Sequence, residues 1–145
     1  MMHSSRINYH LRGTPGFRGC YHYLGLDQVL LHIRSGWLIV YVEEHWVCLY
    51  VRDKTIIILE TLGADKGNLR LLCRDLVDYY VYVNKRRVQS DKSEACGFYC
   101  ILFVKLQIAC LCDFNQFLSL FSARSLGFND VLLYRWLSQY EINKE

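Results

Sequence analysis

The run Cys96-Gly97-Phe98-Tyr99-Cys100-Ile101-Leu102-Phe103-Val104-Lys105-Leu106-Gln107-Ile108-Ala109-Cys110-Leu111-Cys112 organises the chain. From Phe98 to Cys112 it is apolar almost all round, and a helix of that kind lies buried. It reads as a central helix ending near Cys110 to Asp113. With Lys105 and Gln107 inside it, it is too short and too polar to cross a bilayer. The preceding Gln89 to Glu94 is polar, without hydrophobic period, and reads as a loop. Cys96 therefore stands where a loop enters the first turn of a buried helix. Such a turn offers unpaired backbone N–H groups and the positive end of the helix dipole. Both favour thiolate over thiol, and the thiolate is the nucleophile. Gln89, seven residues upstream on the same loop, carries an amide that is a candidate donor to a developing oxyanion.

Working outward, Trp37 to Val42, Trp46 to Val51 and Thr55 to Glu60 are apolar runs separated by the charged turns Glu43-Glu44 and Arg52-Asp53-Lys54. Their proximity predicts a three-strand meander. Asp78 to Asn84 reads as a fourth strand. Leu24 to His32 predicts a short helix that Gly36 breaks, and Leu69, Leu72, Cys73 and Leu76 sit at helical spacing. Two more helices are expected over Asn115 to Ala123 and Asn129 to Tyr140, each with an Asn able to cap its start. Residues 1–20, polar and rich in glycine, read as an irregular N-terminal arm. The expectation is one α+β domain over residues 1–145: a nucleophile-bearing helix packed on a mixed, mainly antiparallel sheet, with further helices.

Composition narrows the function. With 52% hydrophobic and 21% charged residues the chain can build a core, which excludes a disordered protein. A net charge of +3 is too small to imply nucleic acid by itself. Seven cysteines without a secretory signal point to free thiols in a reducing, intracellular setting. No Cys-x-x-Cys pair exists, which argues against a structural zinc and leaves no metal site predicted.

A cysteine nucleophile needs a base within hydrogen-bond reach, and the base needs an orienting group. His45 is the histidine at the turn where a strong strand begins, held by the sheet yet open to a cleft. Glu60 ends the next strand, and in an antiparallel pair the start of one strand lies beside the end of the next. Asp53 and Asp65 are the alternative carboxylates. A lone cysteine is commonly a small core residue. The coincidence of Cys96, His45, Glu60 and Gln89 in roles that acyl transfer demands is what points to chemistry.

These residues also carry a family resemblance. His45-Trp46, then Glu60-Thr61-Leu62-Gly63, then Gln89 and Ala95-Cys96-Gly97-Phe98-Tyr99-Cys100 resemble the adenovirus-type cysteine endopeptidases, the adenains. The SUMO and ubiquitin-like proteases are more distant relatives, with Asp usual at the place of Glu60 and a Gln six residues before the nucleophile. The resemblance implies a thiol protease with Cys96 as nucleophile, His45 as base, Glu60 as its orienting carboxylate and Gln89 at the oxyanion. It implies protein substrates, viral structural precursors cut after Gly-containing sites during virion maturation, in the host nucleus or the virion. It implies no cofactor for the chemistry itself, but DNA or a peptide as activator. Lys85-Arg86-Arg87 is then a candidate DNA contact; Cys73, the only cysteine between Glu60 and Gln89, does not match the spacing at which the family bonds an activating peptide. Two other readings stay open: an isopeptidase for a ubiquitin-like modifier, and a non-catalytic binding module on the same fold.

Overall fold

The computed structural model describes residues 2–64 and 68–140. A five-stranded sheet runs in sequence order: β1 (Phe17–His22), β2 (Ser35–Tyr41), β3 (Trp46–Arg52), β4 (Thr55–Leu59) and β5 (Tyr80–Val83). Strands β2, β3 and β4 form the expected antiparallel meander. The outer strands β1 and β5 pair in parallel with β2 and β4. The sheet is therefore mixed, with two antiparallel and two parallel pairings, because two short helices make parallel crossovers. These are α2 (Leu26–Leu30), between β1 and β2, and α3 (Asn68–Cys73), between β4 and β5. Such crossovers keep one hand, which places both helices on the same face. Leu26, Leu30 and Leu72 accordingly join one core cluster with Leu38, Val40, Leu49, Ile56 and Ile58.

The opposite face receives α4 (Cys96–Ile108), with α1 (Ser4–Leu11), α5 (Phe114–Ser119) and α6 (Asn129–Ser138) around it. Ile39, Cys48 and Leu59 from the sheet pack there with Phe103, Phe117 and Leu133. Both faces are covered, which is why the strands read as unbroken apolar runs rather than alternating ones. Ten of the thirteen residues of α4 are buried, as its all-round apolarity predicts. The helix ends in a Schellman arrangement: Leu111 N–H donates to Leu106 O and Cys110 N–H to Gln107 O. Cys110 takes the positive φ, 55°, that glycine usually supplies there.

Four expectations are corrected. Residues 1–20 are not an irregular arm: they hold α1 and most of β1. Ile7 and Leu11, four apart, bury one stripe of α1 completely, too narrow a signal to stand out among polar neighbours. Gly36 is a strand residue, not a helix breaker. A Cβ there would collide with the Gly16 carbonyl oxygen, so only glycine lets the chain entering β1 approach β2. Helix α5 is capped by Asp113 in a capping box with Gln116, not by Asn115. Asn129 is no cap either. Its side chain accepts from Ser122 N–H and donates to Ser122 O and Val88 O.

Candidate active site

The register of the meander assembles the site. Cys48 lies opposite Leu59, so His45 and Glu60 leave the β3–β4 ladder at the same edge of the sheet. There the His45 Nε2 to Glu60 Oε1 separation is 2.5 Å, with both side chains buried. The imidazole also interacts with the Cys96 thiol. Burial alone would lower the His45 pKa. Hydrogen bonds to Cys96 and Glu60, and the charges of those two groups, outweigh it and raise the pKa to about 9. Cys96 opens α4, and Trp46 N–H donates to its Sγ over 3.4 Å.

Gln89 is 2% exposed and its amide is held on both ends. Thr61 Oγ1 donates to Gln89 Oε1 at 2.5 Å. Gln89 Nε2 donates to Ser93 O at 2.9 Å and more loosely to Ser93 Oγ at 3.3 Å. The Ser93 carbonyl, which can only accept, thus fixes which end of the amide is NH2, and the second N–H has only a long partner. A cleft of about 290 Å³ lies over this group, lined by His45, Cys96, Gln89 and Leu62 among others.

All four residues singled out in the sequence therefore converge. Of the alternative carboxylates, Asp53 does not join them. Asp53 sits at the far end of the β3–β4 hairpin, paired with Arg34 on the surface, and Asp65 lies outside the described residues. The basic run divides. Arg86 donates to Phe121 O. Arg87 donates to Gln89 O at 2.6 Å and pairs with Asp91 at 2.5 Å. Arg87 thus braces the Gln89 loop, Arg86 ties the chain before it to Phe121, and Lys85 is the exposed one.

The sequence reading missed the residues that hold the site rigid. Asn84 receives the Glu60 N–H at 2.7 Å and donates back to Glu60 O at 2.6 Å, continuing the ladder where β5 stops. Ser93 Oγ donates to Asp130 Oδ1, which also accepts from Tyr99 OH, both at 2.9 Å. Burial and the Asp130 carboxylate push the Tyr99 phenol up, so it keeps the proton it donates. A lone Asn closing an apolar strand is a local signal. The Ser93–Asp130 bond spans 37 residues, and no local pattern announces it. Gly97 has a steric role: a Cβ there would meet Met2 Sδ at 2.9 Å, while Trp46 Nε1 donates to Met2 O. The N-terminal segment is thus packed against the nucleophile's own turn.

Among the described residues no group of His, Cys, Asp and Glu gathers as metal ligands, and no helix is long and apolar enough to cross a membrane. No protein-family model matches the chain, and no curated protein does. Among solved structures it is similar to the central domain of an uncharacterized protein, Lpg1148, from Legionella pneumophila. The TM-score is 0.57 at 9% identity, over 97% of this chain and 96% of that one. A likeness at that identity speaks to the fold alone.

Proposed function

We propose that the protein is a cysteine endopeptidase acting through Cys96, His45 and Glu60, with Gln89 and the Cys96 backbone N–H as oxyanion donors. The observation that carries this reading is the buried imidazole held between a carboxylate at 2.5 Å and a helix-terminal thiol, on the floor of a cleft. A histidine with a pKa of about 9 holds its proton near neutral pH, opposite a sulfur that attacks as thiolate. The sulfur adds to the scissile carbonyl carbon, and the carbonyl π pair moves to oxygen. That oxyanion meets the second Gln89 N–H and the Cys96 N–H. Collapse breaks the C–N bond, and His45 gives its proton to the departing amine. Water, deprotonated by His45, then releases the acyl group and restores the thiol. The family resemblance adds the substrates: viral structural precursors, cut after Gly-containing sites.

Iodoacetamide labelling at about pH 6 tests the reading, because unpaired thiols are mostly protonated there. Burial pushes the pKa values of Cys20, Cys48, Cys73, Cys100 and Cys112 up, so they stay silent, while the exposed Cys110 reports simple accessibility. Cys96 is expected to label far faster than Cys110 in wild type and to lose that advantage in His45→Ala. Equal, slow labelling of both would instead support a binding module. Peptides with Gly-containing sites and a Gly-Gly modifier fusion then separate endopeptidase from isopeptidase. If DNA activates the enzyme, Lys85→Glu is expected to abolish the gain.

A further inference from the structure

The cleft over Cys96 has a charge of its own. Besides the reacting groups it is lined by four carboxylates, Glu43, Glu44, Asp91 and Glu94, and among the described residues no lysine or arginine lines it. They arrive on two separate loops. Glu43 and Glu44 form the β2–β3 turn that leads into His45, while Asp91 and Glu94 belong to the loop that leads into Cys96. Both loops that lead to the reacting residues thus bring negative groups to the cleft. This runs against the molecule as a whole, whose net charge is +3. The neighbouring cleft of about 490 Å³ on the β1–β2 side of Trp46 is lined by aromatic, His, Cys, Met and Ser side chains without a carboxylate. Two of the four are tethered: Tyr23 OH donates to Glu43 at 3.0 Å, and Arg87 pairs with Asp91. Glu44 and Glu94 carry charges that neither of these two ties answers.

The carboxylates alone would mark nothing. What makes this a binding site is the thiol and imidazole on its floor. Building on the cysteine-peptidase reading above, we propose that the site selects polypeptides carrying Lys or Arg beside the scissile bond and rejects acidic ones. The selection works through Glu44 and Glu94 at the rim rather than through a fitted pocket. A rim of exposed charges acts at long range and is screened by salt. The expected preference is therefore on the order of tenfold at low ionic strength, fading as salt is added.

The test uses the thiol itself. Cys96 is treated with trimethylammonioethyl or sulfonatoethyl methanethiosulfonate, each of which transfers its thioalkyl group to the thiolate and releases methanesulfinate. The two rates are divided by the rate with a neutral analogue. The cationic reagent is expected to be favoured about tenfold over the anionic one at low salt. That ratio is expected to approach unity at high salt, and to invert in the exposed-site double variant Glu44→Lys/Glu94→Lys. Gly-containing peptides with Lys flanks are expected to exceed their Glu-flanked counterparts in kcat/KM by a similar factor. A Cys96 that reacts fast with equal preference for both reagents overturns this inference and leaves the peptidase reading standing. A Cys96 inert to all three reagents overturns both. The salt series in wild type keeps the inference falsifiable even where the double variant fails to fold.

Discussion

His45 owes its proton to two neighbours, and the two can be separated. The Glu60 carboxylate is 1% exposed, and its Oε1 also accepts the Leu62 N–H at 3.0 Å, so it cannot turn away from the ring. Glu60→Gln keeps the shape and removes the charge. The His45 pKa is then expected to fall from about 9 toward or below the ordinary histidine range, because burial is no longer outweighed. An imidazole titration by NMR reads this directly, and an unmoved midpoint would remove Glu60 from the site. The rate of proteolysis is expected to drop on the order of 10²–10⁴-fold. Gln89→Ala separates differently. Losing one oxyanion donor costs on the order of 10²–10³ in kcat, yet alkylation by iodoacetamide forms no oxyanion. Labelling of Cys96 is therefore expected to stay within a few-fold of wild type while peptide turnover collapses. Equal losses in both assays would mean that Gln89 only supports the fold.

At the scale of elements, the β2–β3 turn is the strained piece. Val42 and His45 exchange both backbone hydrogen bonds across a two-residue loop. Glu43 and Glu44 both adopt positive φ, 46° and 64°, where Asn-Gly is the usual choice. Each glutamate there costs on the order of 1 kcal/mol. Glu43→Asn/Glu44→Gly is expected to raise stability by about 1–2 kcal/mol in urea unfolding, and to weaken the preference for cationic reagents by removing rim charge. Asn84 works the other way. Its amide closes two hydrogen bonds to the Glu60 backbone, and Asn84→Ala is expected to cost about 2–3 kcal/mol and to loosen Glu60 against His45. This division marks what the sequence could tell. The meander, the buried helix and the four convergent residues carry local signals: apolar runs, charged turns and a polar loop meeting an apolar run. The parallel pairing of β1 and β5 does not, because it depends on where α2 and α3 pack. The Thr61–Gln89, Ser93–Asp130 and Asn129–Val88 bonds are long-range side-chain contacts with no period to betray them. Helix α1 hid because two buried residues among eight make too faint a stripe.

At the scale of the whole molecule, the site writes itself into the pH dependence of stability. The His45 pKa moves from its ordinary value of 6.5 to about 9 in the fold. A basic group whose folded pKa is raised stabilises fully below its unfolded value, and that contribution is lost as pH rises through the folded value. Stability from the His45–Glu60–Cys96 contact is therefore complete below pH 6.5 and declines between 6.5 and about 9. Other groups act outside this window. The pKa of His10 is lowered by burial and by Arg6 and Lys105, so it erodes stability as pH falls below 6.5. Cys20, raised by burial from 9.0 to about 12, keeps its proton in the fold while an unfolded thiol loses it, so its effect begins near pH 9 and grows above it. The interval from 6.5 to about 8 thus belongs mainly to His45. Thermal midpoints across that interval are expected to fall with rising pH in wild type. The slope is expected to flatten in His45→Gln, whose own midpoint is lower but pH-independent there. A wild-type midpoint that is level from 6.5 to about 8, or a His45→Gln slope equal to that of wild type, would mean that the imidazole does not hold its extra proton in the fold. The thiolate–imidazolium chemistry would then lose its physical basis, whatever the geometry of the three side chains.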